Sequence, residues 1–166
     1  LGLCAELDLE QVGLKLSDTK GKETIMADMS DSNSFIASWS PRILSIFRIV
    51  FGLLFMLHGT QKLFNYPAGP PEFGFPFPLL TWPGFAGALE LVGGLLVMLG
   101  LFTRPVAFIV SGEMAVAYFK GHFTPSAFWP LQNGGELAVL FCFAFLYLAF
   151  AGGGRWSLDY LLRRRS

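Results

Sequence analysis

The sequence predicts an all-α protein, a bundle of four transmembrane helices with both termini on the cytoplasmic side. Three observations carry that prediction. Of 166 residues, 53% are hydrophobic and 14% charged, with a mean hydropathy of +0.53. Soluble domains carry roughly 25% charged residues, so polar surface is too scarce here to coat a water-soluble globule. The charges are also unevenly spread. Residues 1–34 hold Glu6, Asp8, Glu10, Lys15, Asp18, Lys20, Lys22, Glu23, Asp28 and Asp31, which leaves the remainder more apolar still. Finally, four long apolar segments follow one another between stretches dense in Pro and Gly.

Residues 1–39 are expected to form a polar, poorly ordered extension, with at most a short amphipathic helix around residues 3–16, and residues 40–162 the membrane domain. Met26 and Met29 stand just ahead of the apolar part. The expectation is that part of residues 1–28 is a misassigned start or a tag-like extension.

The first apolar segment covers about residues 43–64, with Ser40 and Pro41 placed as a helix cap and first-turn proline. The second covers about 82–102, with Thr81 and Pro83 at its start. Thr103, Arg104 and Pro105 break the chain, and the third runs on to about Lys120. The fourth covers about 135–151 and stops at Gly152, Gly153 and Gly154. A hydrocarbon core of about 30 Å asks for roughly 20 helical residues, so the last two segments are short and lean on Tyr118, Lys120, Trp129, Arg155 and Trp156 as interfacial anchors. A soluble bundle needs a polar face on every helix, and residues 137–151 have none.

Orientation follows from Arg42, Arg104, Arg155 and Arg163 to Arg165, which share one side of a four-pass chain, while the loops 65–80 and 121–134 hold no Lys or Arg. The bacterial inner membrane is the expected location and the lipid bilayer the first partner. A net charge of zero and the lack of a basic patch with interleaved aromatics exclude a nucleic-acid partner. Cys4 and Cys142 lie far apart with no Cys-x-x-Cys, which disfavours dithiol exchange, and Cys142 reads as a buried inert thiol.

Ionisable side chains inside membrane helices are costly and are functional candidates by default. Counted at about 1.5 Å per residue from the outer helix ends, His58 lies about 9 Å deep, Glu90 about 12 Å and Glu113 about 10 Å, with Lys62 and Glu136 at the rim. The candidate site is therefore His58, Lys62, Glu90, Glu113 and Glu136. His58 and Lys62 are four apart and share a face. Arg48, fourteen residues before Lys62, lies near that face but closer to the cytoplasm. Gly59, Gly87, Gly93 and Gly94 permit close helix approach. Against this stand structural roles: Lys62, Lys120 and His122 can snorkel, Glu136 suits a helix N-terminus, and a buried network can simply lock helices together. No metal site and no haem, flavin or iron–sulfur pattern is evident.

These residues resemble a known pattern. His58-Gly59-Thr60-Gln61-Lys62-Leu63 is similar to the HGxxKL signature of the DoxX family of bacterial membrane proteins. Glu90 to Gly94 resembles its E-x-x-G-G, and Leu99 to Arg104 its L-G-L-x-T-R. Met114 to Ala117 resembles its M-x-x-A. Glu136 and Gly154 to Asp159 resemble its fourth-helix acid and G-R-x-S-L-D ending. Gly153 stands where the family often has Pro, and Glu113 falls outside the signature. The resemblance implies a four-helix inner-membrane fold and, as function, a quinone-interacting subunit of a redox assembly of the thiosulfate:quinone oxidoreductase kind. In that role quinone is the implied cofactor and a membrane or redox protein the implied partner. The alternative is a non-enzymatic scaffold or small-solute transporter. A faint likeness between Pro83 to Leu91 and Pro130 to Leu137, each opening a helix after a Pro-rich loop, raises it.

Overall fold

A computed structural model describes residues 34–164, and every described element is helical or a turn apart from one isolated bridge between Thr124 and Ala127. The proposed helix at residues 3–16, Cys4 and the terminal Arg165 lie outside the described residues. The chain divides into two compact units, Leu1–Ser40 and Pro41–Ser166. In the first, the Ser38 hydroxyl donates to the Phe35 carbonyl at 2.8 Å and the Phe35 and Trp39 rings approach to 6.1 Å.

Helix α1 spans Ser34–Phe64 and α2 spans Trp82–Leu99. These two are long and apolar enough to cross a membrane. The start of α1 corrects the expectation at Ser40 and Pro41. Phe35, Ile36 and Trp39 continue the apolar pattern upstream, so Pro41 lies within the helix instead of opening it. The predicted cap of α2 is present: the Thr81 hydroxyl accepts from the Gly84 amide. Helix α3, Thr103–Ala117, runs into a π-helical turn, Tyr118–His122. A short α4, Pro130–Asn133, leads to α5, Glu136–Ala151, and α6, Leu158–Arg163, closes the fold.

Helix α3 packs against α5 and α2. The core is Phe55, Val97, Ala107, Val110, Met114, Ala138, Phe141, Phe145 and Leu148. Three rings form its centre: Phe55 meets Phe145 edge-on at 4.7 Å, and Phe141 stacks on Phe145 at 5.6 Å. The outer faces are apolar too. Leu137, Leu140, Phe143, Tyr147 and Phe150 are all exposed on α5, and Phe108 and Ile109 on α3. Continuous apolar surface of this kind belongs against lipid rather than water.

Helices α1 and α2 touch backbone to backbone. A Cβ placed on Gly59 would fall 2.3 Å from the Leu91 amide nitrogen, and one on Gly94 would fall 2.5 Å from that of Met56. The glycines near Glu90 thus do what their small size suggests, except that Gly93 faces Val110 on α3.

At the end where α2 finishes, Arg48 is fully buried. Its guanidinium donates to the carbonyls of Val97 at 2.6 Å, Gly153 at 2.8 Å and Trp156 at 2.9 Å, and also to Met98. Val97 and Met98 are in the last turn of α2, whose carbonyls carry its negative dipole, and Val97 O accepts from the Gly100 amide as well. Gly100 makes room for the charge: its φ is +72°, and a Cβ there would lie 2.9 Å from Arg48 Cζ. Asp159 completes this end by accepting from the Phe102 and Thr103 amides at 2.8 Å each, so α6 caps the start of α3. Partial burial disfavours the Asp159 charge, but those amides and the nearby Arg163 outweigh it and hold the carboxyl below the usual aspartate range.

Two outcomes follow. Replacing Arg48 by Met strands several buried carbonyls and is expected to cost about 3 kcal/mol or more, read as a lowered melting temperature in detergent. Because the Asp159 carboxyl is easier to ionise when folded, its cap is at full strength above the unfolded aspartate value of about 3.9 and fades as pH falls through the lower folded value. The stability gap between wild type and Asp159→Asn should therefore be constant near neutrality and close in acid, as followed by melting across pH.

Candidate functional site

The opposite end of the bundle holds a cavity of about 350 Å³. His58 and Lys62 reach it from consecutive turns of α1, and Glu90 reaches it from two turns inside α2. The Lys62 ammonium forms an ion pair with Glu90 Oε1. The Lys62 side chain is 26% exposed and that of Glu90 only 3%, so the lysine spans from the open mouth to a carboxylate in the wall. Glu90 Oε2 is buried with no hydrogen-bond partner among the described residues. The His58 ring stands edge-on to Phe141 at 5.8 Å. Phe55, Phe141, Met114 and Phe75 supply the apolar walls.

Of the five candidates, the structure thus brings His58, Lys62 and Glu90 together. Glu113 opens elsewhere. It lines a separate groove of about 180 Å³ between α2 and α3, with Trp82, Phe85 and Leu89. Both its carboxyl oxygens are buried and unpartnered among the described residues, and Glu90 and Lys62 are the charges close enough to act on it. Glu136 is exposed in the first turn of α5, where it faces the helix dipole. The likeness between residues 83–91 and 130–137 ends at the same point. Pro83 and Glu90 share one helix, whereas Gly134, at φ +70°, separates Pro130 from Glu136.

The cavity also takes in His122, which the sequence left as a snorkelling residue. The π turn after α3 carries it round, and its Nδ1 is 3.3 Å from the Asn133 carbonyl oxygen. Asn133 donates to the Ala127 carbonyl at 3.0 Å and to the Tyr118 hydroxyl at 3.3 Å, which holds the loop over that wall. Lys120 lies 4.8 Å from the Trp82 ring centre, outside the cavity, as a cation–π contact. Cys142 is half-buried and free, with the Ser111 hydroxyl donating to its carbonyl at 2.8 Å. Among the described residues no cluster of His, Cys, Asp or Glu has the makings of a metal site.

Apolar helices, with an ion pair and two histidines around a cavity at one end, mark the chain as a helical membrane protein. The chain belongs to the DoxX family, whose sequence profile matches residues 43–123. A Haemophilus influenzae protein is 43% identical over 130 residues, covering 75% of this chain and 93% of its own length. The inner membrane protein YphA of Escherichia coli is 32% identical, covering 72% of this chain and 89% of YphA. CatD of Bacillus subtilis, whose name proposes an oxidoreductase, is 30% identical, covering 69% and 82%. No solved structure matches the chain.

Removing the Lys62 ammonium isolates a buried carboxylate, a change that typically costs about 3–5 kcal/mol. Lys62→Met should therefore melt well below wild type in detergent, and Lys62→Met with Glu90→Leu should recover most of the loss. Equal melting of Lys62→Met and wild type would mean that the pair does not hold α1 to α2.

Proposed function

We propose that this DoxX-family protein is a four-span inner-membrane subunit, with both termini cytoplasmic, whose cavity holds a quinone headgroup within a redox assembly. One observation carries the reading: Glu90 Oε2 is an unpaired, buried acceptor beside the Lys62 ion pair, in a cavity otherwise walled by aromatic and aliphatic side chains. A buried acceptor left without a donor costs about 1–3 kcal/mol, and a ligand hydroxyl reaching it would recover that cost. The volume falls within the roughly 300–1,000 Å³ typical of small-molecule sites.

A quinone has apolar faces and oxygens at opposite edges, and when bound it supplies two-electron, two-proton chemistry. The faces suit Phe55 and Phe141. Lys62 or a histidine N–H can donate to one oxygen, and Glu90 Oε2 can accept from a hydroxyl at that edge and hold its proton. A partner reductant would supply the electrons, and the name of CatD points the same way.

Four spans are supported by the lipid-like outer faces of α3 and α5 and by the π turn, which lengthens α3 by five residues. The 16 residues of α5 reach about 24 Å. The orientation rests on Arg42, Arg104, Arg155 and Arg163 at one end. Transport finds less support, because Phe55, Phe145, Val110 and Leu148 fill the bundle beneath the cavity.

The test is equilibrium binding of a short-chain ubiquinone analogue, kept in its reduced quinol form so that its hydroxyl can donate to Glu90 Oε2, to the protein in liposomes. Wild type should bind, and Glu90→Gln should bind about tenfold more weakly, the effect of losing one hydrogen bond to a charged group. Failure of the wild type to bind the analogue overturns the reading.

A further inference from the structure

At the end of the bundle where α2 finishes and α3 begins, a second cavity of about 440 Å³ opens, with no part in the quinone reading. Arg104 from the first turn of α3, Arg155 from the turn after α5 and Arg163 from α6 all line it. The floor is the glycine turn after α5. A Cβ on Gly152 would fall 3.4 Å from Arg104 Nε, so the guanidinium lies directly over bare backbone. Gly152 also has φ +86°, a conformation that favours glycine, so the turn keeps that approach open.

Among the described residues one carboxylate, Asp159, lines the same cavity. Each of its oxygens already accepts a backbone amide, from Phe102 and from Thr103, at 2.8 Å. It also interacts with Arg163. Among the described residues the wall carries three arginines, and Arg104 and Arg155 lie beyond the one that Asp159 engages. All three arginine side chains are exposed, and the exposed Phe150 and Trp156 flank the same turn. Planar guanidinium groups match phosphate oxygens two at a time. Basic pockets between membrane helices at this level take anionic headgroups.

We propose that this cavity binds a phosphate-bearing anion, clasped by Arg104 and Arg155 over the Gly152 turn. The phosphodiester of an anionic phospholipid and free inorganic phosphate present the same oxygens to these groups.

The full chain, purified in a neutral detergent, would be assayed by native mass spectrometry with phosphatidylglycerol or phosphatidylcholine doped into the micelle. Melting would be measured in parallel with inorganic phosphate. Phosphatidylglycerol should be retained in preference to phosphatidylcholine, and retention should fall about fivefold for each arginine neutralised, in Arg104→Gln and in Arg155→Gln. Arg104→Lys should keep most of it. Stabilisation by inorganic phosphate without lipid preference, lost in the same Gln variants, would support the site and assign it to the free anion. Equal retention of the two lipids with no response to phosphate overturns the proposal, as does unchanged binding in both Gln variants. Should either Gln variant melt below wild type without ligand, the charge-keeping Lys variant and the other Gln variant carry the comparison. Binding of the quinone analogue at the opposite end is read separately in the same samples, so the two readings can fail independently.

Discussion

A guanidinium buried where no carboxylate among the described residues pairs with it must be met by carbonyl oxygens, and Arg48 is met by those of Val97, Met98, Gly153 and Trp156. Because a carbonyl carries only partial charge, several are needed, and they come from helix ends and turns, where oxygens still have capacity to accept. The last turn of α2 and the turn after α5 provide them. The charge is thereby tied to two separate stretches of chain at once, and each is held where the other requires it.

That junction sets the register of α1 on α2. Arg48 meets Met98, Gly52 meets Gly94, and Gly59 meets Gly87, one antiparallel ladder in which bare backbones lie against each other. With the ladder in place, Lys62 emerges beside Gly87 and its ammonium finds Glu90. Arg48, fully buried, and Lys62, partly exposed, are thus at opposite ends of one contact and are satisfied differently. Arg48 has its carbonyls and is spent on structure. Lys62 meets one oxygen of a carboxylate whose second oxygen is unused, and that leaves chemistry available at the cavity end.

The ends differ for the same reason in what they can take from outside. At the Glu90 end the spare group is a buried acceptor in an apolar pocket, which matches a small molecule with an apolar ring and a hydroxyl edge. At the Arg104 end the spare groups are exposed donors over bare backbone, and Asp159 is already engaged by amides. The packed rings of Phe55, Phe141 and Phe145 separate the two.

What the sequence by itself determined is what depends on neighbours along the chain. Hydropathy marked the apolar segments, Thr81 marked the start of α2, and the spacing of four put His58 and Lys62 on one face. It also set how far along its helix each charged residue lies. Direction around the helix axis was beyond it, because that depends on which neighbour each face packs against. Glu113 lies on α3 as expected yet turns into the α2–α3 groove, while His122 is brought round by a π turn that leaves no mark in composition. Gly134 splits α4 from α5 and leaves Glu136 at an exposed helix end. The partners of Arg48 were equally hidden, since a backbone carbonyl has no residue type. Only the tertiary structure could decide these points, because each is a meeting between segments distant in sequence.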